Sequence, residues 1–177
     1  MSEASLEAIT GLVHLIEYPK NELFIEKSKR HSYEVFVLDG VCMSFLLYPE
    51  VEVCTISFFT GSSIISPFTT RTSNEMSNLN FQALTPLKLG VMDAALFEGY
   101  MVENLEIREF GNRVLRNELK QKVDKEIGMA SMTAKERLLK FREQFPGLEN
   151  LIPHTTISTY LGITNISLSR LRNELVK

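Results

Sequence analysis

The chain has 177 residues, 44% of them hydrophobic, and a formal net charge of −3. This length and apolar fraction suffice for one good hydrophobic core or two modest ones without disulfide or metal staples, so we expect one or two domains. No apolar run reaches the roughly 18–20 residues that span a bilayer, and the acidic start lacks the basic region of a secretory signal, which predicts a cytoplasmic protein with no membrane partner.

Residues 1–92 contain several short stretches that are typical of β-strands. These stretches are Glu22–Glu26, Tyr33–Leu47, Val51–Phe59, Phe81–Leu84 and Leu87–Met92. The Asp39-Gly40 pair divides the second stretch and predicts a two-residue hairpin. Many short strands separated by turn residues predict a sandwich or jelly roll. Residues 5–15 have a weaker helical pattern, which Gly11 interrupts.

The cysteines and histidines form no recognisable metal or catalytic motif. Cys42 and Cys54 lie in strand-like stretches without a CxxC pattern, so we expect buried free thiols in a reducing compartment. His14, His31 and His154 are too scattered to supply the clustered ligands of a metal-dependent jelly-roll enzyme. The sequence also lacks a Gly-x-Ser-x-Gly nucleophile elbow. We therefore expect no enzyme, no metal and no cofactor.

From Asp93 to about Gly128 the hydrophobic period becomes that of a helix. The apolar positions form one broad stripe, which comprises Leu105, Ile107, Phe110, Val114, Leu115, Leu119, Val123 and Ile127. A helix this long beside a small β domain needs a partner for its apolar side, and that partner is either a second copy of the chain or the chain's own β domain. The residues that we assign to a dimer interface are Leu105, Phe110, Leu115 and Leu119.

A second helix is predicted after a break at residues 128–132. Thr133 and Glu136 form a capping box, in which the hydroxyl and the carboxylate satisfy each other's free backbone N–H groups. The helix should run through Phe145, because Pro146-Gly147 follows and stops it. Its apolar residues are expected to form a small core that supports the helices that follow, and they are Leu138, Leu139, Phe141 and Phe145.

Residues 155–172 have the pattern of a helix-turn-helix. Apolar residues recur at helical spacing up to Leu161, Gly162 interrupts them, and the period resumes at Leu168. Glycine suits the corner because the left-handed backbone conformation costs it almost nothing. Thr164 occupies the expected N-cap position of the second helix.

The outer face of this second helix is small and polar. With Leu168 at the centre of the buried side and a turn of about 100° per residue, Ile166, Arg170 and Asn173 lie roughly opposite. Such a face can enter a DNA major groove, where arginine pairs with guanine and an aliphatic side chain meets a thymine methyl. The residues that we assign to DNA binding are Thr155, Thr164, Asn165, Ile166, Ser167, Ser169, Arg170 and Asn173. The same pattern also fits an ordinary helix pair with a solvated face.

The charge distribution agrees with a nucleic-acid-facing C-terminal region. From Met132 onward there are seven basic and four acidic residues, whereas the rest of the chain has twelve basic and eighteen acidic residues. Only the surface near phosphate needs to be positive, so an acidic sensor joined to a basic module is compatible with a net negative chain.

The segments Leu161-Gly-Ile-Thr164 and Leu168-Ser-Arg-Leu-Arg172, preceded by Ala134-Lys-Glu-Arg-Leu-Leu139, resemble the C-terminal domain of Crp/Fnr-type transcription regulators. The resemblance implies an α+β fold with an N-terminal β-roll or jelly-roll sensor of the cyclic-nucleotide-binding type at 1–92, a dimerisation helix at 93–128, and a helix-turn-helix domain at 129–177. It further implies a homodimer, a palindromic double-stranded operator and contact with RNA polymerase. Because the sequence stops at Lys177, we expect this winged-helix-like domain to lack its wing.

Because of two departures, the chain most resembles the branch of that family that usually lacks the cyclic-nucleotide and iron-sulfur residues. In nucleotide-binding members a glycine-glutamate pair holds the ribose and an arginine binds the phosphate, but here Ser62 follows Gly61 and Ser77 occupies the arginine position. No cysteine precedes Cys42 to ligate a cluster. The resemblance still implies a sensor domain, whose small-molecule effector is unknown. The candidate residues for binding this effector are Gly61, Ser62, Arg71 and Ser77.

The sequence thus predicts a sequence-specific, homodimeric transcription regulator that does not bind cyclic AMP. The competing interpretation is an effector-sensing or protein-interaction module that does not bind DNA.

Overall fold

A computed structural model describes residues 1–48, 53–67 and 75–175 of the chain. The fold is α+β, with β-strands in the first half and helices in the second. The strands are β1 (His14–Tyr18), β2 (Leu23–Ile25), β3 (Tyr33–Asp39), β4 (Val41–Leu46), β5 (Cys54–Thr60), β6 (Ser63–Ile65), β7 (Asn80–Ala83) and β8 (Leu87–Asp93). The helices are α1 (Glu3–Thr10), α2 (Ala94–Glu103), α3 (Leu105–Ser131), α4 (Ala134–Gln144), α5 (His154–Tyr160) and α6 (Asn165–Leu175), with a short 3₁₀ turn at Leu148–Asn150.

The strands form two four-stranded sheets, in the orders β1-β8-β3-β6 and β2-β7-β4-β5. In the first sheet β3 pairs antiparallel with both β8 and β6, so that Val35 lies opposite Val91 on one side and Ile65 on the other. Alternate residues of these strands point inward, and the resulting core comprises Ile25, Val35, Val37, Cys42, Ile65, Phe81, Ala83, Leu87, Leu89 and Val91. The jelly-roll-like prediction for this region is confirmed.

The predicted Asp39-Gly40 hairpin is wrong. A turn is present, since Gly40 has a φ of +87°, but β3 and β4 belong to different sheets. The turn is therefore a corner between sheets, and β3 takes its hydrogen-bond partners from distant strands. A Cβ at Gly40 would lie 2.2 Å from the Pro86 carbonyl oxygen, so the corner requires glycine for space as well as for conformation.

The region predicted as one helix at 93–128 contains two helices, α2 and α3. Asn104 separates them, because its extended backbone ends α2 and its side-chain oxygen accepts hydrogen bonds from the N–H groups of Glu106 (2.9 Å) and Ile107 (3.3 Å). Asparagine favours this role since its side chain competes with the helix for backbone donors. The second helix also continues beyond Gly128 to Ser131.

The C-terminal helices agree closely with the prediction. Both hydrogen bonds of the Thr133–Glu136 capping box are present, and α4 ends at Gln144 before Pro146. The small core of this region comprises Leu138, Phe141, Leu148, Ile152, Ile157, Leu161 and Leu168. Leu139, which was expected in that core, is 45% exposed, because it lies one position and so about 100° around the helix from Leu138.

The chain divides into two compact units, Met1–Met43 with Phe58–Lys120 and Ser44–Ser57 with Gln121–Lys177. The second unit thus takes a segment of the β-rich half together with the C-terminal helices. Among the described residues, no helix is long and apolar enough to cross a membrane. The same residues contain no group of three or more histidine, cysteine, aspartate or glutamate side chains placed to hold a metal ion.

Candidate nucleic-acid interface

The helix-turn-helix consists of α5, a turn at residues 161–164, and α6. Gly162 has a φ of +65°, and its N–H donates to the Thr159 carbonyl while the Ile163 N–H donates to the Ser158 carbonyl. These bonds close the end of α5 and send the chain back at an angle. A Cβ at Gly162 would lie 2.5 Å from the Met129 methyl carbon, so glycine also admits the end of α3 against the turn.

Thr164 caps α6 as predicted. Its hydroxyl accepts a hydrogen bond from the Ser167 N–H at 3.1 Å and lies 2.9 Å from the Ser167 hydroxyl. Thr164 and Ser167, both assigned to DNA binding from the sequence, therefore stabilise the first turn of the helix. Their exposed atoms remain beside the surface that the next residues form.

The outer face of α6 is exposed as the periodicity predicted. Leu168 is fully buried, whereas Ile166 is 67% exposed. The exposed polar residues beside Ile166 are Asn165, Ser169, Arg170 and Asn173, and Thr155 is exposed at the start of α5. Within the part of the chain that the structure describes, Arg170 has no ion-pair or hydrogen-bond partner. Its guanidinium is free to pair with an external acceptor.

Arg172, two residues further along α6, is held inside the unit instead. Its Nε lies 2.6 Å from Glu149 Oε1, in an ion pair whose N–H is not aligned with the oxygen. Arg142 of α4 binds the same carboxylate in a bidentate manner, at 2.6 and 3.1 Å. The hydrogen bond from Arg142, with the charges of both arginines, keeps the pKa of Glu149 below its ordinary value. Glu149 therefore joins α4, the 3₁₀ turn and α6.

His154 stands at the exposed start of α5. Its Nε2 lies 2.8 Å from Nη1 of Arg172, so the ring sits next to the half-buried ion pairs of Glu149 and not alone on the surface. This contact could not be predicted from the sequence, because the two residues belong to different helices.

Other cations of the C-terminal unit are also engaged. Arg137 donates to the carbonyl oxygens of Leu161 (2.9 Å) and Met132 (2.7 Å), which fixes the end of α5 against α4. The Lys140 ammonium donates to the Asp124 carbonyl at 3.2 Å. Of the basic residues counted from the sequence, Lys135 and Arg170 are exposed and without such a contact among the described residues. Among the described residues, the free positive charge of the C-terminal region is thus smaller than the sequence count suggested.

The structure describes three of the four residues predicted to bind an effector, Gly61, Ser62 and Ser77. Gly61 and Ser62 form the turn between β5 and β6, where Ser62 has a φ of +69° and donates its N–H to the Val37 carbonyl. Ser77 is buried, and its hydroxyl donates to the Leu79 carbonyl at 2.7 Å. Arg71 lies outside the described residues. The effector assignment to this region stays a prediction.

The residues predicted for a dimer interface lie on different sides of α3. Leu105 and Leu119 are 61% and 64% exposed, and Leu115 is half-buried. Phe110 lies about 140° around the helix from Leu105, and its ring packs edge-on against Phe97 at 6.5 Å inside its own unit. The apolar residues that were predicted to form one broad stripe on this helix therefore form two stripes on different sides. The stripe that contains Phe110 is already covered by residues of its own unit.

A β-roll, a long helix and a terminal helix-turn-helix together are the architecture of Crp/Fnr-type regulators, so the resemblance inferred from the sequence is confirmed at the level of the fold. FixK2 from Bradyrhizobium japonicum superposes with a TM-score of 0.79 at 17% identity, over 92% of this chain and 84% of that one. The c-di-GMP-responsive global regulator CLP from Xanthomonas campestris gives a TM-score of 0.76 at 10% identity, over 98% of this chain and 91% of that one.

A protein from Eubacterium rectale that is assigned to the Crp/Fnr family of transcriptional regulators gives a TM-score of 0.74 at 15% identity, over 99% of this chain and 84% of that one. By sequence, the chain matches no family model and no curated protein. The similarity is thus one of three-dimensional structure.

Proposed function

We propose that the protein is a transcription regulator that binds double-stranded DNA in a sequence-specific manner, with α6 in the major groove. The observation that carries this proposal is the exposed outer face of α6, where Arg170 has no partner among the described residues while Leu168 anchors the opposite side. In this placement Arg170 can pair with a guanine, Ser169 and Asn173 can bond base edges, and Ile166 can contact a thymine methyl. Regulators of transcription among the similar structures support a regulatory and not an enzymatic role.

We further propose that the regulator acts as a homodimer through α3. The exposed stripe of this helix comprises Leu105, Leu119, Val123 and Ile127. All four lie within about 40° of one helix side, which is the width of a helix-pair seam. Two copies paired in this way present two recognition helices to half-sites about 34 Å apart, so the operator should be palindromic.

The β-roll is proposed to be the sensor. The glycine-glutamate pair and the arginine that hold a cyclic nucleotide are replaced at Ser62 and Ser77, so the effector should not be cyclic AMP. Residues Gly61, Ser62, Arg71 and Ser77 remain its candidate contacts. An effector that binds two states of the dimer with different affinity would shift the population that engages DNA and RNA polymerase.

The decisive experiment is selection of duplexes from a random pool by the full chain, followed by titration of the enriched sequence over a range of salt. The expected result is a palindrome whose affinity falls linearly on a logarithmic salt scale. Among the described residues of the C-terminal region, Lys135 and Arg170 are the cations without a partner. The slope of log affinity against log salt concentration should therefore be shallow, about −2 to −4 for a dimer. Enrichment of no sequence, or an affinity that ignores salt, would contradict the proposal.

Dimerisation has its own test. Leu119→Glu should convert the dimer to a monomer in sedimentation, because it places a charge in the seam, whereas Lys120→Glu, one position around the helix, should leave the mass unchanged. A monomeric parent chain, or a Leu119→Glu variant that stays dimeric, would remove α3 as the interface.

The competing function is a protein-interaction module. It would use the same exposed face of α6, but the partner would be a protein, so the selection would return no duplex.

A further inference from the structure

A cavity of about 360 Å³ lies within the second compact unit, between the last turns of α3, the helix α4 and the end of α5. Its apolar walls come from Met129, Met132, Phe141 and Leu161, with the ring of Tyr160 beside them. A volume of this size is in the range that accommodates small metabolites, for which proteins provide an apolar pocket with a few polar groups. Neither the proposed DNA surface nor the predicted effector residues use it.

The polar groups of the cavity include a half-buried cation, Lys125. Its ammonium lies 3.9 Å from the centroid of the Tyr160 ring and donates a hydrogen bond of 2.5 Å to the Ile56 carbonyl. An ammonium has three donors, and these two contacts leave one unused. Within the described part of the chain no carboxylate is close enough to form an ion pair with Lys125.

A partly buried charge without a counter-ion among the described residues is costly, because neither a carbonyl nor a ring face fully replaces the hydration that the ammonium has lost. Burial lowers the pKa of Lys125 to about 8, so the side chain still carries its proton at neutral pH. Two further cations line the cavity, Arg137 and Lys140, and both of them donate to backbone carbonyls, with no carboxylate partner among the residues that the structure describes. The carboxylates of Asp124 and Glu143 also line it, which leaves one positive charge in excess.

We propose that this cavity binds a small organic anion with an aromatic or branched apolar body, whose carboxylate or phosphate pairs with Lys125. The apolar body contacts Met129, Phe141 and Tyr160, and the anionic group supplies a counter-ion, which the half-buried ammonium lacks within the described part of the chain. An uncharged molecule of the same shape gains the apolar contacts only.

The position of the cavity connects it to the helix-turn-helix. Met129 lines the cavity and its methyl carbon lies against Gly162, while Arg137 lines it and holds the Leu161 carbonyl. A bound anion therefore contacts the side chains that fix the turn before α6. If the proposed DNA binding holds, the anion and the operator change each other's affinity by the same factor. The binding site itself does not depend on that function.

The site can be tested by NMR of the full chain labelled at the methionine methyl groups, since two of the seven methionines, Met129 and Met132, line the cavity. Benzoate and phenyl phosphate are the anionic probes, and benzamide is the uncharged match for benzoate. The anions should shift the Met129 and Met132 signals in a saturable manner, with little change at Met92, which is buried elsewhere. Benzamide should bind more weakly.

Lys125→Gln keeps a donor for the Ile56 carbonyl while it removes the charge, and it should weaken benzoate binding by about 10- to 100-fold, as expected for loss of a charged hydrogen bond. Lys120→Gln, an exposed residue on the same helix, is the matched control and should bind like the parent. If Lys125→Gln does not fold, Lys140→Gln removes a second cation of the cavity and should weaken the anions alone.

Three outcomes would overturn the proposal: cavity methionines that do not respond to either anion, equal affinity for benzamide and benzoate, or equal affinity of the Lys125→Gln and Lys120→Gln variants. These measurements contain no DNA, so a failure here is separate from a failure of the proposed function. Repeating the benzoate titration with the selected operator present then measures the coupling.

Discussion

Arg170 and Arg172 provide the sharpest test of how α6 is used, because they are near neighbours with opposite surroundings. Arg170 is exposed and has no partner among the described residues. If it pairs with a guanine, Arg170→Ala should cost about 1–3 kcal/mol per half-site, or about 5- to 150-fold, and should relax the preference at one base position. The free energy of unfolding of the Arg170→Ala variant should differ from that of the parent by less than about 0.5 kcal/mol, since no contact among the described residues is lost.

Arg172→Ala should show the reverse behaviour. Its side chain is 31% exposed and ion-paired with Glu149, which is 11% exposed. Loss of this pair should lower the free energy of unfolding by about 1–2 kcal/mol, moderated because Arg142 still binds the carboxylate. The Arg172→Ala variant should keep the base preference of the parent protein.

The assays are fluorescence anisotropy with the selected duplex and its single-base variants, and denaturant unfolding of each protein. A base preference that is fully kept in Arg170→Ala but lost in Arg172→Ala would contradict the assignment of Arg170 as the reading residue. In that case the ion pair would have to open on DNA, and Arg172 would be the reading residue.

Three further predictions concern stability. Gly162→Ala should destabilise the fold by about 1–2 kcal/mol, because alanine is strained at the left-handed φ of this position. The new methyl group should also clash with the Met129 side chain, and this second cost should disappear when Met129 is replaced by alanine. A double-mutant cycle measured by denaturant unfolding separates the two costs. Thr133→Ala removes the capping box of α4 and should cost about 0.5–2 kcal/mol, whereas an unchanged unfolding midpoint would show that the box contributes nothing. Lys125 has a folded pKa of about 8 against an ordinary 10.5, so the folded state releases its proton first as the pH rises. The stability of the parent relative to Lys125→Gln should therefore increase by about 2 kcal/mol between about pH 7 and about pH 9.5, and a difference that does not vary with pH would contradict this assignment.

The features that could be predicted from the sequence are those that depend on neighbours within a few positions. The capping box needs only Thr133 and Glu136, and the corner of the helix-turn-helix needs a glycine between two helical periods. The buried position of Leu168 follows from the same period. In each case the physical cause lies within one or two helical turns, so local sequence is sufficient.

The features that escaped prediction depend on partners far away in the chain. Asp39-Gly40 predicted a turn correctly, but the strands that pair with β3 determine whether the turn is a hairpin or a corner. The helical period places Arg170 on the outer face and Arg172 about 40° from Leu168, but the ion pair of Arg172 with Glu149 could not be predicted because Glu149 belongs to a different element. Lys125 was one charged residue among many on a long helix, with nothing to indicate that it points inward.

Contacts with distant parts of the chain also decide whether the apolar residues of α3 are available for dimerisation. A single apolar stripe on α3 could be covered by the chain's own β domain, and no dimer would then be needed. The structure instead gives α3 two stripes on opposite sides, of which Ile107 and Phe110 occupy the inner one and are covered within their own unit. The other stripe, with Leu119 and Ile127 more than half exposed, remains without cover among the described residues. Large apolar side chains aligned along one helix side are characteristic of an interaction surface. If a second copy of the chain covers this stripe, as proposed above, the stability of the chain should rise with its own concentration, as it does for proteins whose folding and association are coupled.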